Sequence, residues 1–121
     1  MRLPLIPPAA LSPEQRSLYE DMHDGIGKSF QGFIAMREDG ALAGPWNPWL
    51  HEPHIGKPIW DLTKALYEQS KLPDPARQVA ILVTDAYFRA AYEIYAHVAV
   101  AEHDTLPDAK LATIVAGQRP P

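Results

Sequence analysis

The run ARQVAILVTDAYFRAAYEIYAHVAVAEH, from Ala76 to His103, decides the fold. Val79, Leu82, Val83, Ala86 and Ala90 recur at helical intervals and form one apolar face. Ile94, Val98 and Ala101 continue that face, and Tyr87, Phe88, Tyr92 and Tyr95 thicken it. As one unbroken helix the run would be about 42 Å long, which is excessive for a chain of 121 residues. A break is therefore expected near Arg89 to Ala91, folding the run into a helical hairpin.

Working outward, Asp74-Pro75 supplies a cap and a first-turn proline for the start of this hairpin. Thr105-Leu106-Pro107-Asp108 ends it, and a short helix follows from Asp108 to Ala116. On the amino-terminal side, Ile55, Ile59, Leu62 and Leu66 form the stripe of an amphipathic helix that ends near Ser70. Pro58 sits inside that stripe, so regular hydrogen bonding is expected to begin there. Ser12-Pro13-Glu14-Gln15 is a capped helix start. The helix runs to about Phe30, with Leu18, Met22, Ile26 and Phe30 on one face; Gly25 and Gly27 weaken its second half. Leu3 to Leu11 reads as an extended lead-in lying across another surface. Gly32 to His54 reads as a long loop holding Trp46 and Trp49, which either plug the core or serve a site. No segment alternates as a strand does. The expected class is all-α.

Composition bounds the functions open to such a fold. The formal charge is −4, with no run of like charges and no basic footprint of the kind that binds nucleic acid. The chain has no cysteine, so disulfides, thiolate metal sites and cysteine nucleophiles are excluded. No segment reaches the roughly 20 apolar residues of a bilayer span, and Met1 to Ala10 does not read as a signal peptide. A cytoplasmic location is the expectation. The 13 prolines cluster at the joints between the helices. One domain fits this length, and its apolar helix faces exceed what so short a chain covers alone, so a homo-oligomer is expected.

Glu93 and His97 stand four apart on one helix, which places their side chains on the same face. A carboxylate beside an imidazole favours the imidazolium and orients one ring nitrogen, and such a pair can move protons in a closed pocket. The same spacing also suits an ordinary helix-surface ion pair, contributing about 0.3–0.5 kcal/mol.

Arg77 to Thr84, then Tyr92-Glu93-Ile94-Tyr95-Ala96-His97 and Asp104-Thr105-Leu106-Pro107-Asp108, resemble the carboxymuconolactone decarboxylase family. Gly44-Pro45-Trp46-Asn47-Pro48-Trp49-Leu50-His51 is similar to the loop of its longer members. The resemblance spans Leu3 to Arg119. It implies an alkylhydroperoxidase-D-like helical bundle, with the hairpin at its centre, over a single domain from 1 to 121. Longer members continue beyond Gly117 to Pro121, so the resemblance implies either a shortened form or a partner subunit covering the same surface.

In the peroxidase branch of that superfamily, a glutamate, two cysteines and two histidines do the work. By spacing these fall on Gln78, Ala90, Glu93, Tyr92 and His97, of which His97 alone keeps its residue type. Thiol peroxidase activity is thus excluded by residue type. The decarboxylase branch is the better match. It implies a cofactor-free lyase acting on a small carboxylic acid or lactone, with His97 as general acid and Glu93 as its orienting carboxylate. Tyr92, Tyr95, Arg89, Gln78 and Trp49 are the expected substrate-binding residues. The rival reading is a non-catalytic member that binds a small molecule or a partner subunit, and the amide at Gln78 favours it. Of the five histidines, His51 and His54 with Glu52 are the nearest approach to a metal-ligand set. They lack the paired-helix spacing of a zinc site, and no metal is expected.

Overall fold

A computed structural model describes residues 3–103 and 106–119, with the His103 side chain excepted. Its described residues form six α-helices: α1 (Pro13–Ser29), α2 (Trp46–His51), α3 (Pro53–Gln69), α4 (Asp74–Phe88), α5 (Ala91–His103) and α6 (Asp108–Val115). A single turn of 3-10 helix at Pro8–Ala10 precedes them. Extended pairing among the described residues is limited to an isolated bridge between Met36 and Leu42. The class is all-α, as the helical periodicities require. None of these helices is long and apolar enough to cross a membrane. The chain divides into two compact units, Met1–Ser70 and Lys71–Pro121.

In the first unit, α1 begins as its capping box dictates. The Gln15 backbone N–H donates to Ser12 Oγ at 3.3 Å, and the Ser12 N–H donates to Gln15 Oε1 at 2.9 Å. Two donors that the first helical turn would leave unsatisfied are thereby paired. Leu18, Tyr19, Met22 and Ile26 are buried along one face. The extended lead-in docks through α2, where the buried Asn47 accepts from the Ile6 N–H and donates to the Pro4 carbonyl. The expected loop from Gly32 to His54 is shorter than its composition suggests, because Trp46 to His51 is helical. Trp46 plugs this core, edge-on to Phe30 with ring centroids 5.5 Å apart; Trp49 is only half-buried.

The orientation of α3 departs from expectation. Hydrogen bonding begins at Pro53 rather than at Pro58, which lies within the helix. The carbonyl that Pro58 cannot bond belongs to His54, an exposed residue at the helix start, where water can satisfy it. More consequentially, Ile55, Ile59, Leu62 and Leu66 face outward, and the buried residues are Gly56 and Trp60. A Cβ on Gly56 would stand 2.2 Å from the Trp49 carbonyl oxygen, so glycine alone lets α2 and α3 meet at this point. Trp60 likewise lies against Gly25 of α1, where an added Cβ would approach Cζ2 to 2.5 Å. One large indole seated against the bare backbone of Gly25, with Gly56 admitting the Trp49 carbonyl, outweighs four aliphatic side chains in setting the helix rotation.

The second unit is the hairpin of α4 and α5 with α6 packed on both. The expected break falls at Arg89, which takes left-handed angles (φ 53°, ψ 42°). Its N–H bonds to the Ala86 carbonyl and the Ala90 N–H to the Asp85 carbonyl, the paired pattern that closes a helix around a left-handed residue. Leu82, Ala101, Leu111 and Ile114 form the core, with Val79, Val98 and Leu106 against it. The face expected from periodicity is corrected in part: Val83, Tyr87 and Phe88 are exposed, and Gln78 and Asp85 are buried beside Leu82. Within the expected reversal after α5, Asp104 and Thr105 lie outside the described residues.

Candidate functional site

Gln78, Leu82 and Asp85 follow one another at spacings of four and three, so α4 turns all three into the hairpin. From α5, Glu93 and His97 share one face. His97 Nδ1 lies 2.9 Å from Gln78 Oε1, and its Nε2 lies 3.8 Å from Glu93 Oε2. The imidazole is thus gripped on one side by an amide and faces a carboxyl on the other. His97 keeps 14 % of its side-chain surface exposed and Glu93 keeps 32 %, so neither stands free in bulk water.

The amide oxygen only accepts, so the bond to Gln78 requires the proton on Nδ1. A neutral ring then carries its lone pair on Nε2, on the side of Glu93. Burial lowers the His97 pKa below its ordinary 6.5. Burial raises that of Glu93, and the charge of Asp85 raises it further. Both partners are pushed toward neutrality, opposite to the imidazolium–carboxylate pair that helical spacing alone suggests. At 3.8 Å, without a close hydrogen bond, their attraction is weaker than the loss of hydration. The close hydrogen bond to the ring comes from Gln78 and not from Glu93.

Asp85 is the member that periodicity did not single out. Its side chain is buried, one carboxyl oxygen lacks a hydrogen-bond partner, and burial raises its pKa. The available signal was an acid seven residues after Gln78 in an otherwise apolar run. The Gln78 side-chain nitrogen is similarly sealed without a partner. Two unsatisfied polar atoms on one buried helix face cost stability, and such costs concentrate where a protein carries out chemistry.

The remaining expected site residues fall variously. The Tyr92 phenol is pushed up to about 12, first by burial and then by Glu93 and Tyr95, so it can donate a hydrogen bond but holds its proton. Tyr95 is about half exposed, its ring edge-on to Tyr92. Arg89 is exposed and occupies the turn itself. Trp49 belongs to α2 in the first unit. A groove of about 400 Å³ in the second unit is lined by Val83, Ala86, Tyr87, Ile114 and Gln118, and Glu93 and His97 are not among its lining residues. Among the described residues no three His, Asp or Glu side chains are grouped as a metal ion needs. His51 instead contacts the Pro4 carbonyl at 2.9 Å, and His54 stands 3.9 Å from Glu14. Compared with known proteins, the chain matches no family model, no curated protein and no solved structure.

Proposed function

We propose that this chain is a cofactor-free acid–base enzyme, a lyase of carboxymuconolactone decarboxylase type acting on a small carboxylic acid or lactone in the cytoplasm as a homo-oligomer. The observation that carries the reading is the Gln78–His97 hydrogen bond, which leaves Nε2 as a bare base facing a carboxyl. Two buried groups, each pushed toward its uncharged form, suit proton exchange between them. The roles therefore differ from those of a charged histidine acid. When the bond to the departing carbon dioxide breaks, its electron pair stays on carbon and takes the proton of the Glu93 carboxyl, which is left as a carboxylate. His97 Nε2 then passes a proton from water to the Glu93 carboxylate, and the hydroxide left behind adds to the released carbon dioxide as bicarbonate, restoring the starting state. Gln78 keeps the ring in the tautomer this requires.

Turnover of a γ-lactone acid, followed as carbon dioxide release, tests the proposal. His97→Ala and Glu93→Gln are each expected to lower kcat by about 10²-fold or more while leaving assembly intact. Turnover unchanged in His97→Ala rejects the assigned role. Saturable binding of the lactone acid without turnover in the native chain supports the non-catalytic alternative.

A further inference from the structure

The first unit holds a cleft that the acid–base reading leaves unused, since Glu93 and His97 belong to the second unit. It lies between α1 and α3 and encloses about 310 Å³. Phe30 and Tyr67, two partly buried rings on its wall, meet edge-on with centroids 5.0 Å apart. Trp60 adds a third ring, 6.5 Å from Phe30. Lys64 stands 5.7 Å from the Trp60 ring centroid and pairs with Asp21 of α1 at 2.7 Å, which ties the two helices together at the cleft. A volume at the low end of small-molecule sites suits a ligand the size of a single amino acid and not a macromolecule.

The charges around the cleft are unevenly committed. Asp21 and Lys64 neutralise one another, and Asp24, one turn before Lys28, stands 3.5 Å from His23 instead. Lys28 from α1 and Glu68 from α3 also line the cleft, and neither makes an ion pair among the described residues. One uncommitted cation and one uncommitted anion beside aromatic rings are complementary to a molecule that carries both charges and a flat apolar group. We propose that the cleft binds a free aromatic α-amino acid, its carboxylate toward Lys28, its ammonium toward Glu68 and its ring against Phe30 and Tyr67. Three carboxylates and two lysines line the cleft, so a ligand that is only an anion meets net repulsion there. Lys28 and Glu68 are both exposed, so each adds a modest factor and binding is weak.

Amide chemical shifts of the full nitrogen-15-labelled chain, followed as phenylalanine is added, test this. Saturable shifts are expected at the amides of Lys28, Thr63 and Glu68, with those of the second unit unmoved. Phenethylamine lacks the carboxylate and 3-phenylpropanoate lacks the ammonium; each is expected to bind at least about threefold more weakly than phenylalanine. Lys28→Ala should weaken phenylalanine and 3-phenylpropanoate but leave phenethylamine unchanged, and Glu68→Gln should weaken phenylalanine and phenethylamine but not 3-phenylpropanoate. Both changes fall at exposed positions, and an unchanged spectrum away from the cleft verifies that each variant is folded. Phenylalanine that produces no saturable shifts at the cleft overturns the proposal, as does binding undiminished in both variants. Phenethylamine that binds as tightly as phenylalanine also overturns it, because Lys28 would then recognise nothing.

Discussion

At His97 two influences compete for one proton. Burial removes the water that would stabilise an imidazolium, and Glu93 offers a negative charge only 3.8 Å away. Burial prevails because Glu93 is itself partly buried and shares its surroundings with Asp85, which favours the protonated carboxyl. Gln78 then decides which nitrogen is left bare. Replacing it by Gln78→Glu places a negative charge against Nδ1, stabilises the imidazolium, and should raise the His97 pKa. The expected outcome is a pH–rate profile whose base limb moves to higher pH, with kcat at neutral pH lowered by roughly tenfold. A profile that does not move would show that Gln78 does not control the ring.

At the level of helices, the hairpin depends on a residue poorly suited to its conformation. Arg89 sits at φ 53°, where an L side chain is disfavoured by about 1–2 kcal/mol. Arg89→Gly should therefore stabilise the chain by about 0.5–1 kcal/mol, read as a higher midpoint in urea. If turnover survives in that variant, Arg89 is a turn residue and not a substrate cation. The break itself was legible, since a helix spanning Ala76 to His103 would be too long. So were the ends marked by Ser12, Pro13 and Gln15, because capping is local chemistry. The rotation of α3 was not legible: counting apolar positions favours four aliphatics, whereas packing is settled by Trp60 against Gly25 and by Gly56 against the Trp49 backbone. The inward placement of Gln78 and Asp85 was hidden for the same reason, since periodicity follows apolar residues. Glu93 and His97 could be paired from their spacing on one helix. The contact of His97 with Gln78 joins residues 19 positions apart on two helices, which no local pattern encodes.

For the molecule as a whole, the site makes stability depend on pH in two opposed ways. The lowered pKa of His97 means that the unfolded chain takes up its proton first as pH falls. Stability from the neutral ring is present above pH 6.5 and is lost as pH falls through that value toward the folded pKa. Asp85 and Glu93 act in the other sense. With pKa values raised from 3.8 and 4.5, their contribution is fully present below those values and is lost as pH rises through the raised ones. Thermal melts of the native chain and of His97→Asn should separate these contributions. The advantage of the native chain should be constant above pH 6.5 and should narrow below it; an advantage that grows on acidification would reverse the assigned shift. Both effects follow from the protonation state of one ring. Nitrogen-15 resonances of the His97 imidazole, followed through a pH titration, read that state directly. The account predicts a neutral ring protonated on Nδ1 at pH 7, charging only below pH 6.5; a ring protonated on Nε2, or one that charges above pH 6.5, would contradict it.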